Sequence, residues 1–177
     1  KNVNEQFLSS KTFWLAASTH PGEENFCLLT HLKIKKKIKN IITIIAPRHI
    51  ERSLYIKKES EKYDLNCQIL NSDEKIKDNK EIIIINSYGN LSSFFKNSKS
   101  AFIGKSIIKK LEKVGGQNPL EAAKQGCKIY HGPYVYNFKE IYEILEKNDV
   151  SKKVYNTNEL SNYLIEDYKY IKEKNFK

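Results

Sequence analysis

Cysteine is scarce in this chain and poorly placed for joint work. Cys27, Cys67 and Cys127 are odd in number, far apart and never spaced C-x-x-C, which argues against a disulfide framework and fits a reducing compartment. Histidine is equally thin. His20, His31, His49 and His131 show no H-E-x-x-H or other ligand spacing, so no metal and no cofactor is expected. Long apolar runs are also missing: nothing approaches the ~18 residues that cross a bilayer, and no signal-peptide pattern opens the chain. Membrane contact is left to the surface, or to a part outside this chain.

Basic residues are in excess. The 31 Lys and Arg outnumber the 21 Asp and Glu for a net charge of +10, a balance that speaks to association and not to fold. A nucleic-acid-binding module would need a contiguous cationic stripe interleaved with aromatics. The lysines are spread instead, with Lys33 to Lys39 the densest run, on what reads as the exposed end of a helix. Attraction to an anionic membrane surface is the functional reading of that charge, and a proteome-wide bias toward Ile, Lys and Asn is the plain one.

A length of 177 residues with 40% hydrophobic and 11% aromatic content makes one globular domain with a real core. Short apolar runs alternate with helical periodicity. Strands are predicted near Phe13 to Ala17, Ile41 to Ala46, Cys67 to Leu70, Ile82 to Ile85, Ala101 to Ile103, Lys128 to Tyr130 and Lys153 to Tyr155. Helices are predicted over Glu23 to Lys37, Glu51 to Tyr63, Leu91 to Lys96, Pro119 to Gln125 and Phe138 to Lys147. Leu160, Leu164, Tyr168 and Ile171 recur at helical spacing, so residues 159–177 are expected to form a closing amphipathic helix. Residues 1–12 read as a linker remnant. This alternation implies an α/β fold: a Rossmann-like parallel sheet with helices on both faces.

The chemistry concentrates where strands end. Gly115-Gly116-Gln117-Asn118-Pro119-Leu120-Glu121 joins a flexible glycine pair to a proline-started helix, with Asn118 able to cap and Glu121 able to accept hydrogen bonds from a ribose diol. An ordinary helix start, with Glu121 complementing the dipole, is the alternative. The first strand empties into Ser18-Thr19-His20-Pro21-Gly22-Glu23-Glu24. The second ends in Pro47-Arg48-His49, which places a permanent cation where ligands collect in open α/β sheets. Gly104-Lys105-Ser106 looks like the end of a P-loop, but the position needing the first glycine is Lys99, so it cannot wrap phosphates in that way. Lys105 can still meet a phosphate as a point charge, or be a solvated loop lysine.

These turns, together with Gly132-Pro133-Tyr134-Val135-Tyr136-Asn137-Phe138, come in the order and at about the spacing found in the transferases of 3-deoxy-D-manno-octulosonic acid (Kdo). The chain resembles the carboxyl-terminal domain of that family from Phe13 to about Leu160. The resemblance implies the C-terminal half of a GT-B glycosyltransferase, moving Kdo from its donor CMP-Kdo onto a lipid A precursor in lipopolysaccharide biosynthesis. It further implies that the amino-terminal acceptor domain, with the base, is absent here, that this chain alone is inactive, and that the full enzyme works at the cytoplasmic face of the bacterial inner membrane without nucleic acid. Arg48 is then expected to stabilise the leaving phosphate. Ser18, Thr19, His20, Gly22, Lys105, Ser106, Gly115, Gly116, Asn118, Glu121 and Asn137 are expected to contact the donor. The chain departs from the family at Asn86 and Asn90, where carboxylates are usual, and at Lys105, Gln117 and Ala122. A GT-B domain for another nucleotide-sugar remains a rival, as does a basic nucleic-acid binder.

Overall fold

The computed structural model describes residues 2–89 and 91–174, with side chains to residue 169. Seven strands form one sheet: β1 Phe13–Thr19, β2 Ile42–Pro47, β3 Cys67–Leu70, β4 Ile82–Ile85, β5 Ser100–Ile103, β6 Lys128–His131 and β7 Ser151–Lys153. All neighbours pair in parallel, in the order β3-β4-β2-β1-β5-β6-β7. The helices are α1 Glu5–Ser10, α2 Glu23–Lys35, α3 Ser53–Lys62, α4 Ser92–Asn97, α5 Leu120–Lys124, α6 Lys139–Lys147 and α7 Thr157–Lys174.

Side chains alternate across the sheet, so each strand feeds two cores. Leu15, Ala17, Ile44 and Ile83 pack with Phe94 and Phe95 of α4, Ala122 of α5 and Tyr142 of α6. On the other face Trp14, Ala16, Ile45 and Ile84 meet Leu28 of α2, Ile56 of α3 and Leu164 and Tyr168 of α7. Burial on both sides explains why β4 reads as an unbroken run of isoleucine. Each such side chain contributes about 1.5–3 kcal/mol. The expected Rossmann-like parallel sheet is therefore what the chain builds.

The differences from the sequence reading are local. β7 lies two residues before the predicted Lys153 to Tyr155, because Ser151, Lys152 and Lys153 pair with Ile129, Tyr130 and His131, while Val154 turns its side chain into the core. The helix expected from Glu51 opens as a 3-10 turn, Ile50–Arg52, before α3 begins. The opening residues read as linker carry α1, which buries Leu8, and the Asn4 amide bonds Glu74 O and Ile76 N. α7 starts at Thr157, with the Asn156 carboxamide capping Glu159 N at 2.9 Å. The predicted Ile171 contact lies outside the described side chains.

A buried network ties the amino ends of the strands. His31 is fully buried, accepts from the Thr43 hydroxyl at 2.7 Å and donates to Glu81 Oε1 at 3.0 Å; Lys35 reaches the same oxygen at 2.9 Å. Burial holds the His31 imidazole below its ordinary pKa although Glu81 pulls the other way. The His131 imidazole, also fully buried, is likewise held down. A folded-state value below the unfolded one means that the unfolded chain binds more protons near neutrality. The stability is therefore present above about pH 6.5 and is lost as pH falls through the folded value. Melting temperature should drop from pH 7.5 to pH 5, at up to about 1.4 kcal/mol per pH unit for each histidine. A flat profile would show that both imidazoles titrate in the fold as they do in the unfolded chain.

Candidate functional site

The sheet order reverses between β1 and β5, and ligands of open α/β sheets settle at the carboxyl ends beside such a reversal. Here two turns leave the sheet under strain. Ser18 has φ 59° at the bulge near the end of β1 and Lys105 has φ 56° after β5; side chains held in the left-handed region cluster at functional sites. The turns touch so closely that a methyl on Gly104 would lie 2.4 Å from Ser18 O, and one on Gly132 2.0 Å from Ser106 O. Only glycine fits at either place.

Glu23 holds these turns together. Its carboxylate, at the first turn of α2, is fully buried. Oε1 accepts from His20 N at 2.9 Å and Lys105 N at 2.6 Å, and Oε2 from Ser106 N at 3.0 Å and Ile107 N at 3.1 Å. Successive backbone N–H groups of this kind form an anion nest. In this chain the anion is internal. Burial raises the Glu23 pKa, and the four donors hold that rise in check.

That arrangement changes the part some expected donor contacts can play. The N–H groups of Lys105 and Ser106 face Glu23, so the Gly104-Lys105-Ser106 turn cradles a carboxylate of its own chain. The Ser106 side chain is fully buried, its hydroxyl donating to Ile103 O at 2.7 Å and accepting from Gly132 N at 2.9 Å. Thr19 is buried as well, its carbonyl accepting from Arg48 N at 3.0 Å. Sequence reasoning placed Glu23 and Glu24 in the polar turn after the first strand and assigned neither a role. The available signal was that they directly follow Gly22, at a strand end where both cores converge.

Ser18, His20 and Gly22 stay on the accessible side, with exposed Arg48 and half-buried Lys105. His20 Nδ1 donates to Ser18 O at 3.1 Å, and its ring meets His49 edge-on at 5.6 Å. Burial holds the His20 pKa down, the Ser18 bond raises it, and Lys105, His49 and Arg48 lower it further. A cationic cluster therefore surrounds the ends of β1, β2 and β5. Arg48 makes no ion pair among the described residues; Glu51 stands 3.9 Å from His49 instead.

The glycine-pair segment lies against the β6 turn. Gly115 and Gly116 are buried, with Gly116 N donating to Lys105 O at 2.6 Å and Asn137 N to Gly115 O at 2.9 Å. Asn137 is exposed and its amide donates to Val114 O at 2.8 Å. Asn118 caps as expected, accepting Leu120 N at 2.9 Å, but α5 starts after Pro119, not on it. Glu121 is exposed and accepts from the Ser92 hydroxyl at 3.2 Å. These residues form one ledge beside the cationic cluster, linked to it through the Lys105–Gly116 bond.

Two hollows flank the ledge. One of about 250 Å³ lies past β3 and β4, lined by Asn71, Ser87, Tyr88 and Phe94 among others. The other, of about 300 Å³, lies past β6, lined by Tyr134, Tyr136, Tyr142 and Glu146 among others. Neither is lined by Ser18, Arg48 or Glu121. His131 Nδ1 donates to Gly132 O at 2.7 Å, while Nε2 lies 3.1 Å from Glu146 Oε1, off the line a hydrogen bond needs. Asn86 bonds the Ser53 hydroxyl at 3.1 Å and Asn71 Oδ1 at 2.8 Å, donating through a group that a carboxylate lacks. Asn90 lies outside the described residues. No group of three or more His, Cys, Asp or Glu could hold a metal among the described residues, and no described helix is long and apolar enough to cross a membrane.

No protein-family model matches the sequence. Individual relatives do. The chain is 31% identical over 135 residues to a 3-deoxy-D-manno-octulosonic acid transferase of Haemophilus influenzae, covering 76% of this chain and 31% of that protein. It is 28% identical over 154 residues to the transferase of the same name in Aquifex aeolicus, covering 87% of this chain and 41% of that protein. It thus spans well under half of these relatives. The C-terminal CMP-Kdo binding domain of WaaA from Acinetobacter baumannii has the same fold, with a TM-score of 0.81 at 20% identity over 93% of this chain and 84% of that one. Over most of its length this chain is homologous to the 3-deoxy-D-manno-octulosonic acid transferases.

Proposed function

We propose that this chain is the donor-binding half of a glycosyltransferase that moves Kdo from CMP-Kdo to a lipid A precursor. The observation that carries the reading is the gathering of Arg48, Lys105, His20 and His49 at the ends of β1, β2 and β5, beside the sheet's reversal point. Prepositioned cations at a departing phosphate are commonly the largest catalytic contribution. Arg48, exposed and free of ion pairs among the described residues, is the group for that charge. Glu121 takes the ribose hydroxyls, and Ser18 and His20 line the path between them. The half that binds the acceptor and supplies the base lies outside this chain. In the full enzyme that half would bring the site to the lipid acceptor at the cytoplasmic face of the inner membrane, aided by the basic surface.

The lysines exposed at Lys36, Lys37 and Lys39, at Lys58 and at Lys109 and Lys110 lie on separate elements, which favours the enzyme over a nucleic-acid binder. The test is calorimetry with CMP. The chain should bind CMP weakly and transfer nothing, and Glu121→Ala should weaken binding by about 1.5–3 kcal/mol, the range for hydrogen bonds to charged groups. Unchanged affinity in a folded mutant would remove Glu121 from the site. Kdo transfer by the chain alone would overturn the division of labour.

A further inference from the structure

Next to Glu23 stands a second buried acid whose bonding is incomplete. Glu24 is 2% exposed; Oε1 accepts from Arg52 Nε at 2.9 Å, and Oε2 has no hydrogen-bond partner. A guanidinium can grip a carboxylate with two parallel N–H groups. Arg52 does not close that fork. It pairs through Nε alone, so both Nη groups have no acceptor among the described residues. The Tyr55 ring lies 4.8 Å from Arg52 Cζ and steadies the planar group. The side chain is 27% exposed, so part of it reaches solvent.

Position makes this pair more than a clasp. Arg52 caps α3, of ten residues, and Glu24 sits in the first turn of α2, of thirteen. Both helix starts lie at the carboxyl ends of the central strands, where the helix dipoles add partial positive charge. Burying a carboxylate beside a single donor is costly, and unsatisfied buried groups in native folds call for a functional reason.

We propose that Arg52 is a second anion-binding residue of the donor site, taking the nucleotide phosphate through its free Nη groups, and that Glu24 is the positioning residue that holds it edge-on. The inference rests on the donor-site reading above. It assigns the phosphate two guanidiniums, Arg48 and Arg52, one from each end of the turn after β2.

The experiment compares CMP with cytidine, which lacks the phosphate, by titration into this chain followed by NMR. Arg52→Gln should weaken CMP binding at least about tenfold, the loss of a charge-assisted pair, and leave cytidine binding unchanged. Arg52→Lys should restore only part of it, because an ammonium cannot bond through Nε and offer a fork at once. Glu24→Gln should weaken CMP less, and add nothing in the double mutant. Full CMP affinity in Arg52→Gln overturns the proposal, as does an equal loss for CMP and cytidine, which marks a structural residue. Should Arg52→Gln fail to fold, Arg52→Lys decides: full CMP affinity there overturns the proposal. A wild-type chain that binds neither probe overturns the donor-site reading as well.

Discussion

Glu23→Ala should cost this fold about 3–5 kcal/mol, since it strips a charged acceptor from four backbone donors, each such bond contributing about 1.5–3 kcal/mol and not additively. The substitution leaves His20 N, Lys105 N, Ser106 N and Ile107 N without their acceptor. Such a loss is a large share of a typical total of 5–15 kcal/mol. Glu23→Gln keeps the shape but turns an NH2 group toward two of the four donors, so it should fall between alanine and wild type. Urea unfolding measures both. A loss below about 1 kcal/mol for alanine, no more than an ordinary hydrogen bond, would mean that the turns hold without the carboxylate.

Arg48→Lys should lower Kdo transfer about a hundredfold while leaving the melting temperature unchanged. The magnitude is that of removing one prepositioned donor from a developing charge. Lysine keeps the charge but loses the forked geometry that matches a phosphate or a carboxylate. The assay needs a protein that joins this chain to an acceptor-binding domain. Stability separates the two readings of Arg48. An exposed side chain with no ion pair among the described residues has little to lose in the folded state, whereas a structural arginine would lower rate and melting temperature together. A near-normal rate would leave Arg48 as a surface residue.

The strands were legible because burial on both faces forces continuous apolar runs, and Cys67–Leu70 and Ile82–Ile85 fall where the pattern put them. The turns were legible in part. Asn118 caps, and Ser18, His20, Arg48 and Lys105 come to one end of the sheet, as residues on consecutive strand ends must in a parallel sheet. What the pattern could not supply was partnership across sequence distance. Glu23 reaches residues 105–107 and Glu24 reaches Arg52, and no periodicity announces such pairs. The burial of Ser106 was illegible for the same reason: a hydroxyl beside a lysine in a glycine turn looks available until the loop after β6 is folded over it. α1 was missed because six residues with one buried leucine carry too little pattern to separate helix from linker.

The strand order carries a consequence for synthesis. β1 is made first, yet it ends in the middle of the sheet, and its partner on one side, β5, does not begin until Ser100. As the chain emerges, β2, β4 and β3 can assemble on one edge of Phe13–Thr19, while the opposite edge keeps its backbone groups unpaired. An apolar, unpaired edge is the template on which chains join one another. Until residue 103 has been added, nothing in the chain can occupy that edge in its native place, so half-made molecules depend on crowding partners being kept away.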